Sequence, residues 1–183
     1  MEPIEITAQA VGIVAMAFNI LSYQRKNQKG VIAFQLVGGA LFAVNFLLLG
    51  AYVGGILNII AAIRAVIFLN KEKLKADRPL WFMGFTAVYI AVYILSFTVF
   101  GTKAIPYNFV IELLPVIGMV ATTVGFSLKR AADVRKCGLV SSPSWLIYNI
   151  SNISLGAIIC ETLSLISIVT GMIRLDINKP KKE

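Results

Sequence analysis

Residues 31–69 read VIAFQLVGGALFAVNFLLLGAYVGGILNIIAAIRAVIFL, and this stretch decides the fold. Across 39 residues it carries one charge, Arg64. A helix needs about 20 apolar residues to cross the hydrocarbon core of a bilayer. The stretch is therefore too long for one span and right for two. Gly50-Ala51 stands at its middle, where glycine can end one helix and turn the chain into the next. Lys26 and Lys29 precede the stretch, and Lys71, Lys73 and Lys75 follow it. The reading is a tight helical hairpin that enters and leaves on one basic side.

The rest of the chain extends this pattern. Of 183 residues, 58% are apolar and 14% charged, and the mean hydropathy is +0.82. Soluble domains are about 45–50% apolar and about a quarter charged. The composition excludes an ordinary soluble enzyme, a disordered chain and a disulfide scaffold. Apolar segments are read at 4–21, 31–49, 52–69, 80–100, 109–128, 138–155 and 157–175. Pro143, Asn149 and Asn152 interrupt the sixth, and Gly156 separates it from the seventh. The connections are too short for a soluble domain. Glu2 and Glu5, with no basic neighbour, do not read as a signal peptide.

Charge orients the spans. Basic residues follow the first span (Arg25, Lys26, Lys29), the third (Lys71, Lys73, Lys75, Arg78) and the fifth (Lys129, Arg130, Arg135, Lys136). The tail adds Arg174, Lys179, Lys181 and Lys182, so that 15 of the 17 basic residues share one side. Lys103 alone stands on the other. The positive-inside rule then puts the N-terminus outside and the C-terminus in the cytoplasm. The net charge of +8 thus reads as cytoplasmic loops, and the partner it implies is the lipid bilayer, with no nucleic acid. The chain has no histidine, and Cys137 and Cys160 lack metal spacing. No metal, cofactor or catalytic activity is expected: no nucleophile–base pair can be read, and Ser141, Ser142 and Cys137 lie in or near a cytoplasmic loop.

The chain also resembles itself. Val11-Gly12-Ile13-Val14-Ala15 falls on Ile117-Gly118-Met119-Val120-Ala121, and at the same offset Leu49-Gly50-Ala51 falls on Leu155-Gly156-Ala157. Leu57 and Ile60 fall on Leu163 and Ile166. With the fourth span as a linker, the two three-helix units point the same way, as parallel repeats about an axis along the membrane normal. The expected fold is all-α, with seven transmembrane helices in a 3+1+3 order. Residues 1–70 form the first three-helix bundle, 71–104 the linker helix with its loops, and 105–183 the second bundle with the basic tail.

Polar groups are costly in a bilayer, so each asks for a reason. Glu112 and Glu161 stand early in the fifth and seventh spans, either capping helix N-termini or lining a path that opens outward. Arg64 either snorkels to the interface, enters a buried ion pair, or binds an anionic solute group. Helical spacing aligns Gln9, Gly12, Ala15 and Asn19; Gln35, Gly38, Phe42 and Asn45; and Gly54, Asn58, Ala61 and Ala65. It also aligns Glu112, Pro115, Met119 and Thr122. Asn149 and Asn152 lie together on the sixth span, and Glu161, Ser164 and Ser167 on one side of the seventh. Such stripes serve helix packing or line a path. The fourth span is mostly aromatic and aliphatic, as suits a peripheral linker. Trp81 and Trp145 read as interfacial tryptophans on the cytoplasmic side, and Pro115 and Pro143 as hinge points.

The block Glu112-Leu113-Leu114-Pro115-Val116-Ile117-Gly118, with Ile63-Arg64, Leu49-Gly50 and Glu161, resembles the YgjV-type bacterial inner-membrane family. The 3+1+3 order resembles the SWEET and PQ-loop transporters. Ser22-Tyr23-Gln24 stands where those carry Pro-Gln, and the proline is missing. The resemblance implies a multi-pass protein of the inner (plasma) membrane with a SWEET-like fold. It also implies a polar solute-binding pair in the third and seventh helices, here Asn58 and Ser164. The expected function is that of a small-solute transporter or facilitator working by alternating access. Asn45, Asn58, Asn149, Asn152 and Ser164 would bond an unknown small-molecule solute, with Glu161 and Glu112 at the outer entrance. The alternative is a non-transporting assembly or sensor subunit. Either a monomer or a homodimer is compatible with two fused units.

Overall fold

The computed structural model describes residues 3–49, 52–99, 101–151 and 155–177. Among these the chain is entirely helical, without strands. The helices are α1 (Pro3–Ser22), α2 (Gln28–Leu48), α3 (Tyr52–Leu69), the short α4 (Lys71–Leu74), α5 (Pro79–Thr98), α6 (Pro106–Ser127), α7 (Ala131–Ser151) and α8 (Leu155–Met172). A π turn, Ile173–Ile177, continues α8.

Local chemistry sets the helix ends. The Asn27 side chain accepts from the Gly30 amide at 2.6 Å and caps α2, satisfying a backbone donor that the helix itself leaves unpaired. Pro79 and Pro106 open α5 and α6, where the missing N–H costs nothing. Lys75 takes the left-handed conformation that ends α4.

Five helices, α1, α2, α5, α6 and α8 with its π turn, are long and apolar enough to cross a membrane. Their outer faces expose Val14, Val44, Ile94, Val110 and Ile166, the exposure expected of a lipid-facing surface and not of a water-facing one. α3 is apolar over its described stretch from Gly55 to Leu69. The most polar long helix is α7.

Two of the boundaries expected from the sequence shift. α7 begins at Ala131, seven residues before the apolar run at 138. Arg135, Lys136 and Cys137 therefore lie within its first two turns, and Ser141 and Ser142 are buried mid-helix. Within the polar start Arg135 is satisfied by the Tyr23 and Arg25 carbonyls and by Asp176. Gly156 lies inside α8, so it is not the turn residue, and the connection at 152–154 lies outside the described residues, as does Gly50-Ala51.

Six of the long helices form a ring by contact: α1 with α2, α2 with α3, α3 with α6, α6 with α7, α7 with α8, and α8 with α1. α2 and α7 also touch across the ring, and α5 packs on the outside against α6. Phe68, Phe85, Tyr89 and Phe126 pack where α3, α5 and α6 meet. The basic connections gather at one end. Lys71 Nζ donates to the Leu128 carbonyl at 2.6 Å, Lys29 pairs with Glu72 at 3.7 Å, and Arg135 reaches the Arg25 carbonyl at 3.0 Å. This is called the basic end below. The opposite end, where α2 passes to α3 and α7 to α8, is the hairpin end.

Candidate functional site

Inside the ring lies a cavity of about 580 Å³, within the range of small-molecule sites. All six ring helices contribute to its wall, and α5 does not. It runs from Leu49 and Gly156 near the hairpin end to Tyr23 and Phe126 near the basic end.

The cavity brings together five of the residues singled out by sequence: Asn45, Asn58, Arg64, Asn149 and Glu161. Three others do not join them. Ser164 is fully buried and turned to α1, where its Oγ accepts from Asn19 Nδ2 at 3.5 Å. It therefore does not form a cavity pair with Asn58. Glu112 is the seventh residue of α6 and caps no helix; its hydrogen-bond neighbour is Ser96 on α5, on the outside of the ring. Asn152 lies outside the described residues. Glu161 is likewise the seventh residue of α8 and no cap, and Ser142 on α7 is its hydrogen-bond neighbour.

The polar stripes divide between path and packing. Gln9, Asn19, Gln35 and Thr122 line the cavity. Ser167 is a packing residue, donating to the Ile20 carbonyl at 2.7 Å and bonded by Gln24 Nε2 at 2.9 Å. Asn45 does both: it lines the wall while Nδ2 donates to the Ala8 carbonyl at 2.7 Å.

Arg64 does not snorkel, and among the described residues it pairs with no acid. It is 6% exposed, and Nη1 donates to Tyr89 Oη and the Met119 carbonyl, both at 3.1 Å, and to Thr123 Oγ1 at 3.4 Å. The Phe126 ring lies 5.2 Å from its Cζ.

Trp145 is not interfacial. It is the fifteenth residue of α7, counted from the basic end, and lines the cavity. Its indole packs on Gly118 so closely that a Cβ there would lie 2.8 Å from the ring. Across the ring Gly12 receives the Asn45 amide in the same manner, with 3.0 Å to a Cβ. Each glycine admits a large side chain from the following helix.

The basic end is tied together by reciprocal caps that sequence reading missed. The last carbonyls of a helix lack intrahelical donors and carry the negative end of its dipole. At the end of α6, Gln28 Nε2 donates to the carbonyls of Gly125 (3.2 Å), Phe126 (3.0 Å) and Leu128. Lys71 joins it, bonding Gln28 Oε1 at 2.8 Å. Burial, reinforced by the neighbouring Lys129 charge, holds the Lys71 ammonium below the ordinary lysine range. Beyond the end of α1, Arg135 Nη1 donates to the carbonyls of Tyr23 (3.2 Å) and Arg25 (3.0 Å). Its Nε and Nη2 hold the two oxygens of Asp176 at 2.8 and 2.5 Å. One signal was present in the sequence: at the offset that puts Gly12 on Gly118, Lys29 falls on Arg135, so Gln28 and Arg135 differ by one position.

The sequence matches the model of the Imp-YgjV family, described as bacterial inner membrane protein, over residues 6–179. The chain belongs to this family. Inner membrane protein YgjV of Escherichia coli strain K12 is 28% identical over 154 residues, which is 84% of this chain and 76% of that protein. No solved structure matches the chain. Membership of the YgjV family, with several long apolar helices, makes this a multi-pass protein of the bacterial inner membrane. For a YgjV-family chain, a largely apolar cavity walled by six helices, into which Asn45, Asn58, Arg64, Asn149 and Glu161 converge, is the feature that asks for a function.

Proposed function

We propose that this YgjV-family protein is a small-solute transporter or facilitator of SWEET-like 3+1+3 architecture. Seven helices cross the membrane, with the N-terminus outside and the C-terminus in the cytoplasm. Residues 1–70 and 105–183 are the two units, and 71–104 carries the linker helix. The protein acts as a carrier without catalysis, cofactor or nucleic acid, and one chain suffices for a pathway.

One observation carries the reading: a cavity between the units lined by polar side chains from both, with caps at the basic end that each unit places on the other. Exchanging α1, α2 and α3 for α6, α7 and α8 turns the α1–α8 contact into α6–α3 and leaves α2–α7 unchanged. That is the pattern expected of two parallel repeats about an axis. In alternating access the caps release and the units rock, closing the hairpin end. Pro115 and Pro143, inside α6 and α7, leave the carbonyls four residues earlier without their helical donors, which suits bending.

The test uses Ala61, on the cavity wall. Ala61→Cys, in a chain with Cys137 and Cys160 replaced by Ser, is treated with a small membrane-impermeant thiol reagent in vesicles of both orientations. Labelling from the hairpin side is expected, with labelling from the basic side appearing when Gln28→Ala weakens the caps. Labelling from neither side, or from one side alone with or without the Gln28 cap, overturns the reading.

A further inference from the structure

We propose that the solute carries an oxyanion, a carboxylate or a phosphate, and that Arg64 is the group that receives it. The inference rests on the transport reading and names its solute class.

Arg64 is a cation more than nine-tenths buried on the wall of the cavity. Its Nη1 side is anchored on neutral oxygens. Tyr89 Oη and Thr123 Oγ1 are bonded to each other at 2.9 Å, and Thr123 Oγ1 donates to the Met119 carbonyl at 2.8 Å. These bonds brace the cluster that holds the guanidinium in place. The other edge is different. Nε is buried without a hydrogen-bond partner, and Nη2 donates to no described residue. Among the described residues no carboxylate stands within ion-pair distance of Arg64.

Arg135 shows how this chain completes the same fork. There too Nη1 is spent on backbone carbonyls. The Nε–Nη2 edge takes both oxygens of a carboxylate, Asp176. That edge is the one that matches carboxylate and phosphate geometry in a bidentate pair. Arg64 has the same anchoring of Nη1 on neutral oxygens and an Nε without a partner, and the residue stands on the wall of the cavity. A buried cation without a counter-charge is strongly unfavourable, and within a membrane helix such a residue marks a solute path.

Glu161 gives the solute its direction. It shares the cavity but sits closer to the hairpin end. Arg64 is the thirteenth residue of α3 and Glu161 the seventh of α8, an axial offset of about 9 Å at 1.5 Å per residue. The oxyanion therefore goes to the deep end, and hydroxyl or ammonium donors face Glu161. A second anionic group at that end is repelled. Sugar acids and phosphorylated sugars fit, and the neutral sugar of the same size lacks the group that Arg64 recognises.

The test is the melting temperature of the purified full-length protein in detergent. The anionic probes are gluconate and glucose 6-phosphate, and the neutral probes are glucose and sorbitol. A ligand that binds the folded state raises the midpoint with concentration. The expected result is a rise with at least one anionic probe and little with the neutral ones. In Arg64→Gln and Arg64→Lys the apparent affinity falls at least tenfold. The ligand-free midpoint of Arg64→Gln stays level or rises, because a buried uncompensated charge is gone; a residue that only holds the fold would lower it. A rise with neutral probes alone, or an anionic rise that persists in Arg64→Gln, overturns the oxyanion inference and leaves the transport reading standing. No rise with either anionic probe also overturns it, while side-dependent labelling at position 61 judges transport separately.

Discussion

Gln28 and Arg135 perform the same task in opposite directions. Gln28, the first residue of α2, donates to the terminal carbonyls of α6, and Arg135, near the start of α7, donates to the carbonyls that follow α1. Each thus binds the unit to which it does not belong in the repeat. The Gln28 acceptors Gly125 and Phe126 are among the last carbonyls of α6, where a donor meets both an unpaired oxygen and the helix dipole; the Arg135 acceptors lie just past the end of α1.

The two caps are predicted to differ in cost. Gln28→Ala removes hydrogen bonds to neutral carbonyls, worth about 0.5–1.5 kcal/mol each, and one of the two acceptors of Lys71, which keeps the Leu128 carbonyl; it lowers the melting midpoint by a few degrees. Arg135→Ala leaves Asp176 without its partner in a site where Arg135 is 1% exposed. Breaking a buried pair from one side costs about 3–5 kcal/mol. Arg135→Ala is therefore the more damaging by a wide margin in thermal unfolding. Restoring neutrality with Asp176→Asn in the same chain recovers part of the loss. Equal midpoints for the two single variants would contradict the buried pair.

Close approach of α8 to the end of α1 makes Gly171 the most restrictive glycine. A Cβ there would lie 2.6 Å from the Tyr23 carbonyl, a backbone atom that cannot swing away. Gly171→Ala is predicted to destabilise by about 1–3 kcal/mol, as overpacking does. Gly84, in α5, has nothing within 4 Å of the same construction. Gly84→Ala is predicted to be neutral or to stabilise by up to about 1 kcal/mol through helix propensity. Thermal unfolding of the pair in one detergent checks both signs.

Gly118 tests the cavity shape. A Cβ there meets the Trp145 indole at 2.8 Å, a side chain that can move, and the open space beside it is the cavity. Gly118→Ala is predicted to push Trp145 inward and to weaken any solute-induced rise in midpoint by several-fold, with a smaller stability loss than Gly171→Ala. An unchanged solute response would mean that the indole yields in another direction.

The bilayer made much of the fold readable. It demands long apolar runs and closed backbone hydrogen bonding, and it sorts basic loops to one end, where Lys71 meets Leu128 and Arg135 meets Arg25. It also flags any intramembrane charge, so Arg64 stood out. What stayed hidden depends on neighbours. The start of α7 is polar because Arg135 faces the carbonyls after α1, and without that partner the stretch reads as loop; the misplaced boundary then put Trp145 at the wrong depth. Ser164 and Glu112 lie on plausible stripes, but periodicity names a face of a helix and not what packs against it. Ser164 faces Asn19 on α1, and Glu112 faces Ser96 on α5.

Asn45 and Asn58 separate packing from binding within one cavity. The Asn45 amide donates to the Ala8 carbonyl at 2.7 Å and is 7% exposed, so it ties α2 to α1. Asn45→Ala leaves a buried acceptor unpaired, at a cost of about 1–3 kcal/mol, and is predicted to lower the folded yield and the midpoint with or without solute. Asn58 stands half-buried on the α3 wall, toward the cavity. Asn58→Ala is predicted to lower the midpoint less than Asn45→Ala does, while reducing flux in proteoliposomes for whichever probe stabilises the protein. Asn58→Ser, which retains one donor and one acceptor, is predicted to fall between. The reverse pattern, a stable Asn45→Ala and a failing fold in Asn58→Ala, would exchange the two roles and move the solute site from α3 to α2.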